Sequence, residues 1–148
     1  MSEMTIQTAV DINTTSQDAW SLFGEQFANW ADWAPGIDSS ELQGPLQEGV
    51  IRVNKAESLG TVTQELVRFV PEERALAYEM RQGLPPFFES VRNDWFIKEL
   101  EPGKVRLEGV ALFVLKEEAA EMRPKLEGKM SSVLDVFANA FRDKLQAS

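Results

Sequence analysis

The chain has neither cysteine nor histidine among its 148 residues, and the two absences remove whole chemistries. Without cysteine no disulfide supports the fold, so a cytoplasmic location is the expectation. Zinc sites draw on His or Cys, and Ser-His-Asp and Cys-His nucleophile systems need a histidine base; none of these can be assembled. Neither GxxxxGK[ST] nor GxGxxG appears, so phosphate-cradling loops are unsupported, and no EF-hand pattern is present. An all-carboxylate magnesium or calcium site stays open in principle, and the expectation is no metal and no cofactor. No apolar run approaches the roughly 20 residues of a transmembrane segment. The start, Met1-Ser2-Glu3-Met4-Thr5, lacks the basic and apolar regions of a secretory signal. Positive charge is also scarce: 15 Lys and Arg stand against 24 Asp and Glu, a net charge of −9. The basic residues are scattered singly, so the chain repels phosphate backbones and nucleic acid is excluded as a partner. Any catalysis must rest on Asp, Glu, Lys, Arg, Ser, Thr or the single tyrosine, Tyr78.

What is present suits one domain spanning 1–148, with a hydrophobic fraction of 43%. Thr5 to Ile12 alternates, placing Ile6, Val10 and Ile12 on one face of a strand. Thr15-Ser16-Gln17-Asp18 reads as a capping box opening a helix with Trp20, Phe23, Phe27 and Trp30 on one stripe. Trp33 follows, and Pro35-Gly36 closes the helical region. Strand-like segments succeed one another at Ile37 to Leu42, Val50 to Lys55, Thr61 to Val70, Ala75 to Arg81, Phe87 to Leu100 and Val105 to Leu115. A loop reaching Gly60, Pro71-Glu72-Glu73, Gly83-Leu84-Pro85-Pro86 and Glu101-Pro102-Gly103-Lys104 separate them. Such short connections require antiparallel hairpins. A short helical piece at Glu117 to Glu121 leads to a final helix from Arg123 to Leu145, about 34 Å long. Met122, Leu126, Met130, Val133, Leu134, Phe137, Phe141 and Leu145 share an arc of roughly 140° on it. Lys129, Ser132, Asp135 and Asp143 carry the opposite face. This order predicts an α+β fold: a curved antiparallel sheet of about seven strands wrapped around a long C-terminal helix, with two short helices after the first strand.

Several local motifs then carry a resemblance. Ser16-Gln17-Asp18-Ala19-Trp20, Trp33-Ala34-Pro35-Gly36-Ile37, Glu41 to Gly49, Val67 to Tyr78 and Glu101-Pro102-Gly103-Lys104-Val105 are punctuation of one kind of domain. Over nearly its whole length the chain resembles the START/Bet v 1-like (SRPBCC) superfamily, and within it the bacterial polyketide cyclase/dehydrase-like proteins. The resemblance implies a helix-grip fold with a cavity between sheet and C-terminal helix. It also implies a small hydrophobic partner: a lipid, quinone or polyketide-like molecule. The glycine-rich GxGGxG loop of the plant Bet v 1 type is missing, which argues against a plant hormone-receptor identity. The motifs are structural, and the fold alone does not choose a reaction.

Strand alternation supplies the site candidates. Leu76, Tyr78 and Met80 share one face; Glu89, Val91, Asn93, Trp95 and Ile97 share another; Thr63, Glu65, Val67 and Phe69 a third. Turned inward, these faces make Trp30, Trp33, Phe69, Tyr78, Met80 and Phe88 the expected ligand-binding residues. Asn93, Trp95, Leu107, Met130, Leu134 and Phe137 join them. The weak catalytic candidates are Tyr78, Glu65 and Glu89 with Arg52, as proton-moving groups of a cyclase, aromatase or dehydratase. Glu65 and Glu89 serve equally as solvated carboxylates at strand ends, and Tyr78 as a core residue. Three functions follow: a carrier or binder of a small hydrophobic molecule, such an enzyme, or a ligand-free interaction module. A closed cavity, or one smaller than about 300 Å³, would favour the last. The oligomeric state is left open.

Overall fold

The computed structural model describes residues 2–57 and 60–147. The expected loop before Gly60 lies partly outside them. Its seven strands are β1 (Ser2–Ile12), β2 (Ser39–Leu42), β3 (Ile51–Ala56), β4 (Gly60–Val70), β5 (Ala75–Gln82), β6 (Phe88–Glu101) and β7 (Lys104–Leu115). They form one curved antiparallel sheet in the order β1-β7-β6-β5-β4-β3-β2. Consecutive strands from β2 to β7 are hairpin neighbours, while β1 pairs with β7 along its whole length, Ser2 opposite Leu115 and Ile12 opposite Val105. The expected strands are therefore present, with β2 shortened at its start. Asp38 still donates its N–H to Lys55 O at 2.7 Å, so the pairing reaches back to the edge of the expected segment.

The capping box forms as read: Thr15 Oγ1 accepts from Asp18 N at 3.0 Å and opens α1 (Ser16–Trp20). The helix does not continue. It widens to a π-turn over Ser21–Glu25 and then becomes a 3₁₀ helix over Phe27–Asp32, broken at Asn29. Gly24 marks the change, because a Cβ there would stand 2.3 Å from the Trp20 ring. The irregular turns keep Trp20, Phe23, Phe27 and Trp30 buried, and Trp30 Nε1 donates to Phe23 O at 2.9 Å.

A 3₁₀ turn (Glu117–Met122) precedes the long helix α2 (Arg123–Gln146), with proline in its first turn, where a missing N–H does no harm. Leu126, Leu134, Ala138 and Phe141 are its buried residues. Val133, expected on the apolar stripe, is 51% exposed. At 100° per residue Ala138 lies about 140° round the helix from Val133, so a rotation that buries the one exposes the other. Asp135, expected on the polar face, accepts from Thr8 Oγ1 of β1 at 2.6 Å and helps to fix that rotation.

Two register shifts correct the expected faces. Between Leu66 and Arg68 on β4, and between Phe88 and Ser90 on β6, one strand carries an extra residue. Alternation reverses across each bulge. Leu66 is accordingly fully buried, and Gln64 shares its face. Glu65 is on the outer side, in an ion pair with Arg81 at 3.0 Å. Phe88 is buried and Glu89 is exposed. Neither carboxylate faces the core.

Candidate functional site

The centre of the molecule is an aromatic cluster closed around one cation. Arg52 lies on β3, whose inner face also carries Asn54. Its side chain is 1% exposed, yet no carboxylate bonds to it among the described residues. Nε and Nη2 both donate to Gln64 Oε1, and Nη1 donates to Phe27 O at 2.9 Å. The guanidinium carbon stands 3.8 Å from the centre of the Phe27 ring, 4.1 Å from Trp30 and 5.2 Å from Tyr78. Cation–π attraction thus takes the place of a counter-ion. Burial pulls the Arg52 pKa down to about 9, against the opposing influence of the nearby Tyr78. The group remains cationic at neutral pH.

Tyr78, on β5 and 5% exposed, accepts a hydrogen bond from Trp95 Nε1 of β6 at 3.2 Å. Burial raises its hydroxyl above the usual value, and Arg52 and Trp95 oppose that rise. The rings continue from here. Trp30 packs on Tyr78 at 5.6 Å, Phe137 of α2 on Trp95 at 5.1 Å and on Trp33 at 4.9 Å, and Phe23 on Phe141 at 5.0 Å. Gly109 of β7 admits the Trp95 ring, since a Cβ there would lie 2.4 Å from it. Among the described residues, two buried side-chain polar atoms have no hydrogen-bond partner: Trp33 Nε1 and Asn54 Oδ1.

The structure thus brings Arg52, Tyr78, Trp30, Trp33, Trp95 and Phe137 together. Asn93 is buried beside Tyr78 in register, and Leu107 and Leu134 are buried in the same core. Met80 and Met130 are half-buried against it. Phe88 packs on Phe113 at 4.9 Å, and Phe69 packs on Trp20 at 5.6 Å. The acid–base set built on Glu65 and Glu89 is not assembled, because the bulges place both carboxylates outside. Four contributors escaped the sequence reading as site residues: Phe23, Phe27, Asn54 and Gln64. The period of two was a usable signal for Asn54, two positions after Arg52. For Gln64 it was hidden by the β4 bulge, and only the pairing of Arg52 with Gln64 reveals it.

Concavities lie elsewhere among the described residues. One of about 240 Å³ sits on the outer sheet face by Ala75, Asp94, Phe96 and Glu108. Another of about 340 Å³ lies between α1 and the turn at Pro71, beside Asp18, Glu25 and Arg74. Among the described residues no helix is long and apolar enough to cross a membrane, and no group of three or more acidic residues is placed to hold a metal.

Comparison with known proteins now adds the family. The family described as polyketide cyclase/dehydrase and lipid transport matches residues 3–142. The chain belongs to it. Solved structures agree on the fold. An aromatase/cyclase from a Streptomyces species is 16% identical, with a TM-score of 0.81 over 98% of this chain and 94% of its own. A START superfamily protein from Mycobacterium smegmatis is 15% identical, with a TM-score of 0.80 over 97% of each chain. Norcoclaurine synthase from Thalictrum flavum is 14% identical, with a TM-score of 0.77 over 99% of this chain and 88% of its own. At these identities the likeness shows the shared helix-grip architecture alone. No curated protein matches the chain.

Proposed function

We propose that this protein binds a small, largely apolar molecule between the sheet and α2, anchored through an oxygen acceptor on Arg52. One observation carries this reading: a fully buried guanidinium held by rings and neutral oxygens without a carboxylate. Burying an unpaired cation is expensive, and a domain that needed only a filled core would be served as well by an apolar side chain. A guanidinium lying among aromatic faces is suited to a carbonyl, enolate or phenolate oxygen carried on a flat apolar frame. The orphaned Trp33 Nε1, on a ring 5.3 Å from Trp30, offers a second donor in the same lining. The family description and the aromatic ligands named for the Thalictrum neighbour, dopamine and hydroxybenzaldehyde, support the same class.

Binding rather than turnover is the function proposed. Arg52 and Tyr78 would polarise a carbonyl, but the chain has no histidine and, among the described residues, no carboxylate bonds to either of them to take a proton. The contrary reading is a filled interaction module, favoured by the ring spacings of about 5 Å that leave α2 closed on the sheet. Titration calorimetry with acetophenone and with its hydrocarbon isostere cumene separates the two. The binding reading expects acetophenone to bind at least tenfold more tightly, and Arg52→Met to erase the difference. Failure of both compounds to bind, or an unchanged preference in Arg52→Met, would remove the proposal.

A further inference from the structure

We infer that Asn54 Oδ1 is a specificity-determining acceptor, selecting ligands that carry a hydroxyl donor in addition to the oxygen bound by Arg52. The inference rests on the ligand-binding reading above and deepens it. Asn54 is 3% exposed, and its Oδ1 has no partner among the described residues. The orientation of its amide is not free. Asn54 Nδ2 donates to Gln64 Oε1 at 3.0 Å, and that oxygen also accepts from Arg52 Nε and Nη2. Turning the amide over would set Asn54 Oδ1 against Gln64 Oε1, two acceptors in contact. The network therefore holds Oδ1 away from Gln64 as an unfilled acceptor.

Its place on the strand gives the ligand a shape. Arg52 and Asn54 project from the same face of β3, about 6.8 Å apart along the strand. The first offers donors and the second an acceptor. A molecule satisfying both has an oxygen acceptor at one end of an aromatic ring and a hydroxyl near the other. A phenolic ketone meets that description. A ketone without the hydroxyl leaves Oδ1 buried and unpaired, as does one whose hydroxyl is capped. A site built to hydrogen-bond a hydroxyl rejects the analogue lacking it more strongly than an apolar pocket distinguishes sizes.

The test compares para-hydroxyacetophenone, acetophenone and para-methoxyacetophenone by calorimetry, at a pH where the phenol keeps its proton. The protein should favour the hydroxy compound over acetophenone by roughly five- to a hundredfold, with the methoxy compound no better than acetophenone. Asn54→Leu should abolish that preference, so that the hydroxy compound and acetophenone bind the variant equally. In the unaltered protein, the Asn54 side-chain amide resonance should move with the hydroxy compound and not with acetophenone, which keeps the test open should the variant fail to fold. Equal affinities for hydroxy compound and acetophenone, with acetophenone still dependent on Arg52, would overturn the Asn54 role and leave the ligand-binding reading standing. A preference that survives Asn54→Leu, or a still amide resonance, would do the same. If neither ketone binds, both readings fall together.

Discussion

At the scale of single residues, Arg52 sets an unusual pH dependence. Burial holds its pKa at about 9 in the folded protein, well below that of the free group. Between those values the unfolded chain binds more protons than the native one, so this group makes stability rise with pH there. Its full penalty applies below about 9. Tyr78 acts in the opposite sense: its raised pKa makes the native state bind more protons above the ordinary tyrosine range, and stability falls there. Ligand affinity follows Arg52 alone. Acetophenone binding should stay level from neutral pH and decline above about 9, the decline displaced upward because a bound carbonyl holds the proton on. Calorimetry across that range checks this, and an affinity level throughout would count against Arg52 as the anchor. Gly109 makes a second test at this scale. Gly109→Ala should displace the Trp95 ring, break its bond to Tyr78 and lower stability by about 1–3 kcal/mol in urea unfolding.

At the scale of elements, α2 is fastened along one side. Arg123 Nη1 donates to Ser2 Oγ at 3.2 Å, Thr8 Oγ1 to Asp135 at 2.6 Å, and Asn13 N to Gln146 Oε1 at 3.0 Å. These three bonds run the length of β1, an edge strand. The rest of the helix is held by apolar packing, with Phe141 at its centre, touching Phe23 and Trp33. Phe141→Ala should cost about 3–5 kcal/mol, whereas Val133→Lys, on the exposed side, should change stability by no more than about 0.5 kcal/mol. Chemical denaturation of the two variants gives the comparison; equal losses would mean that the helix is rotated otherwise.

At the scale of the whole molecule, charge lies outside and aromatic surface inside. The outer sheet face carries a ladder from Glu65 through Arg81, Glu79 and Arg92 to Asp94, with contacts of 2.8 to 3.3 Å. Exposed pairs of this kind are worth about 0–1 kcal/mol each and serve chiefly to keep the face soluble. The net charge of −9 acts at longer range. An anionic ligand is repelled on approach to this surface although its oxygen suits Arg52, and salt screens the repulsion. Stopped-flow association of para-hydroxybenzoate should quicken as ionic strength rises, while that of neutral acetophenone should not change. Parallel salt responses for the two would refute the steering argument.

The sequence by itself determined the order of elements, the Thr15 cap, the antiparallel hairpins and the lack of any thiol or imidazole chemistry. Each follows from local signals: turn residues, a capping box, a period of two or of 3.6, or a residue type that is missing. It also supplied Arg52, Tyr78, Trp30, Trp33, Trp95 and Phe137 as candidates, though not as one group. Tertiary structure decided which of the candidates meet. The bulges after Leu66 and after Phe88 put Glu65 out of phase with Phe69 and Glu89 out of phase with Val91, because one inserted residue reverses the alternation between the residues before it and those after it and leaves no mark in composition. Long-range pairing set Gln64 opposite Arg52 and Asn54 beside both. The rotation of α2 exposed Val133 and buried Ala138. Local periodicity fixes the faces of an element, whereas the partner of each face is set by contacts between residues far apart in the chain.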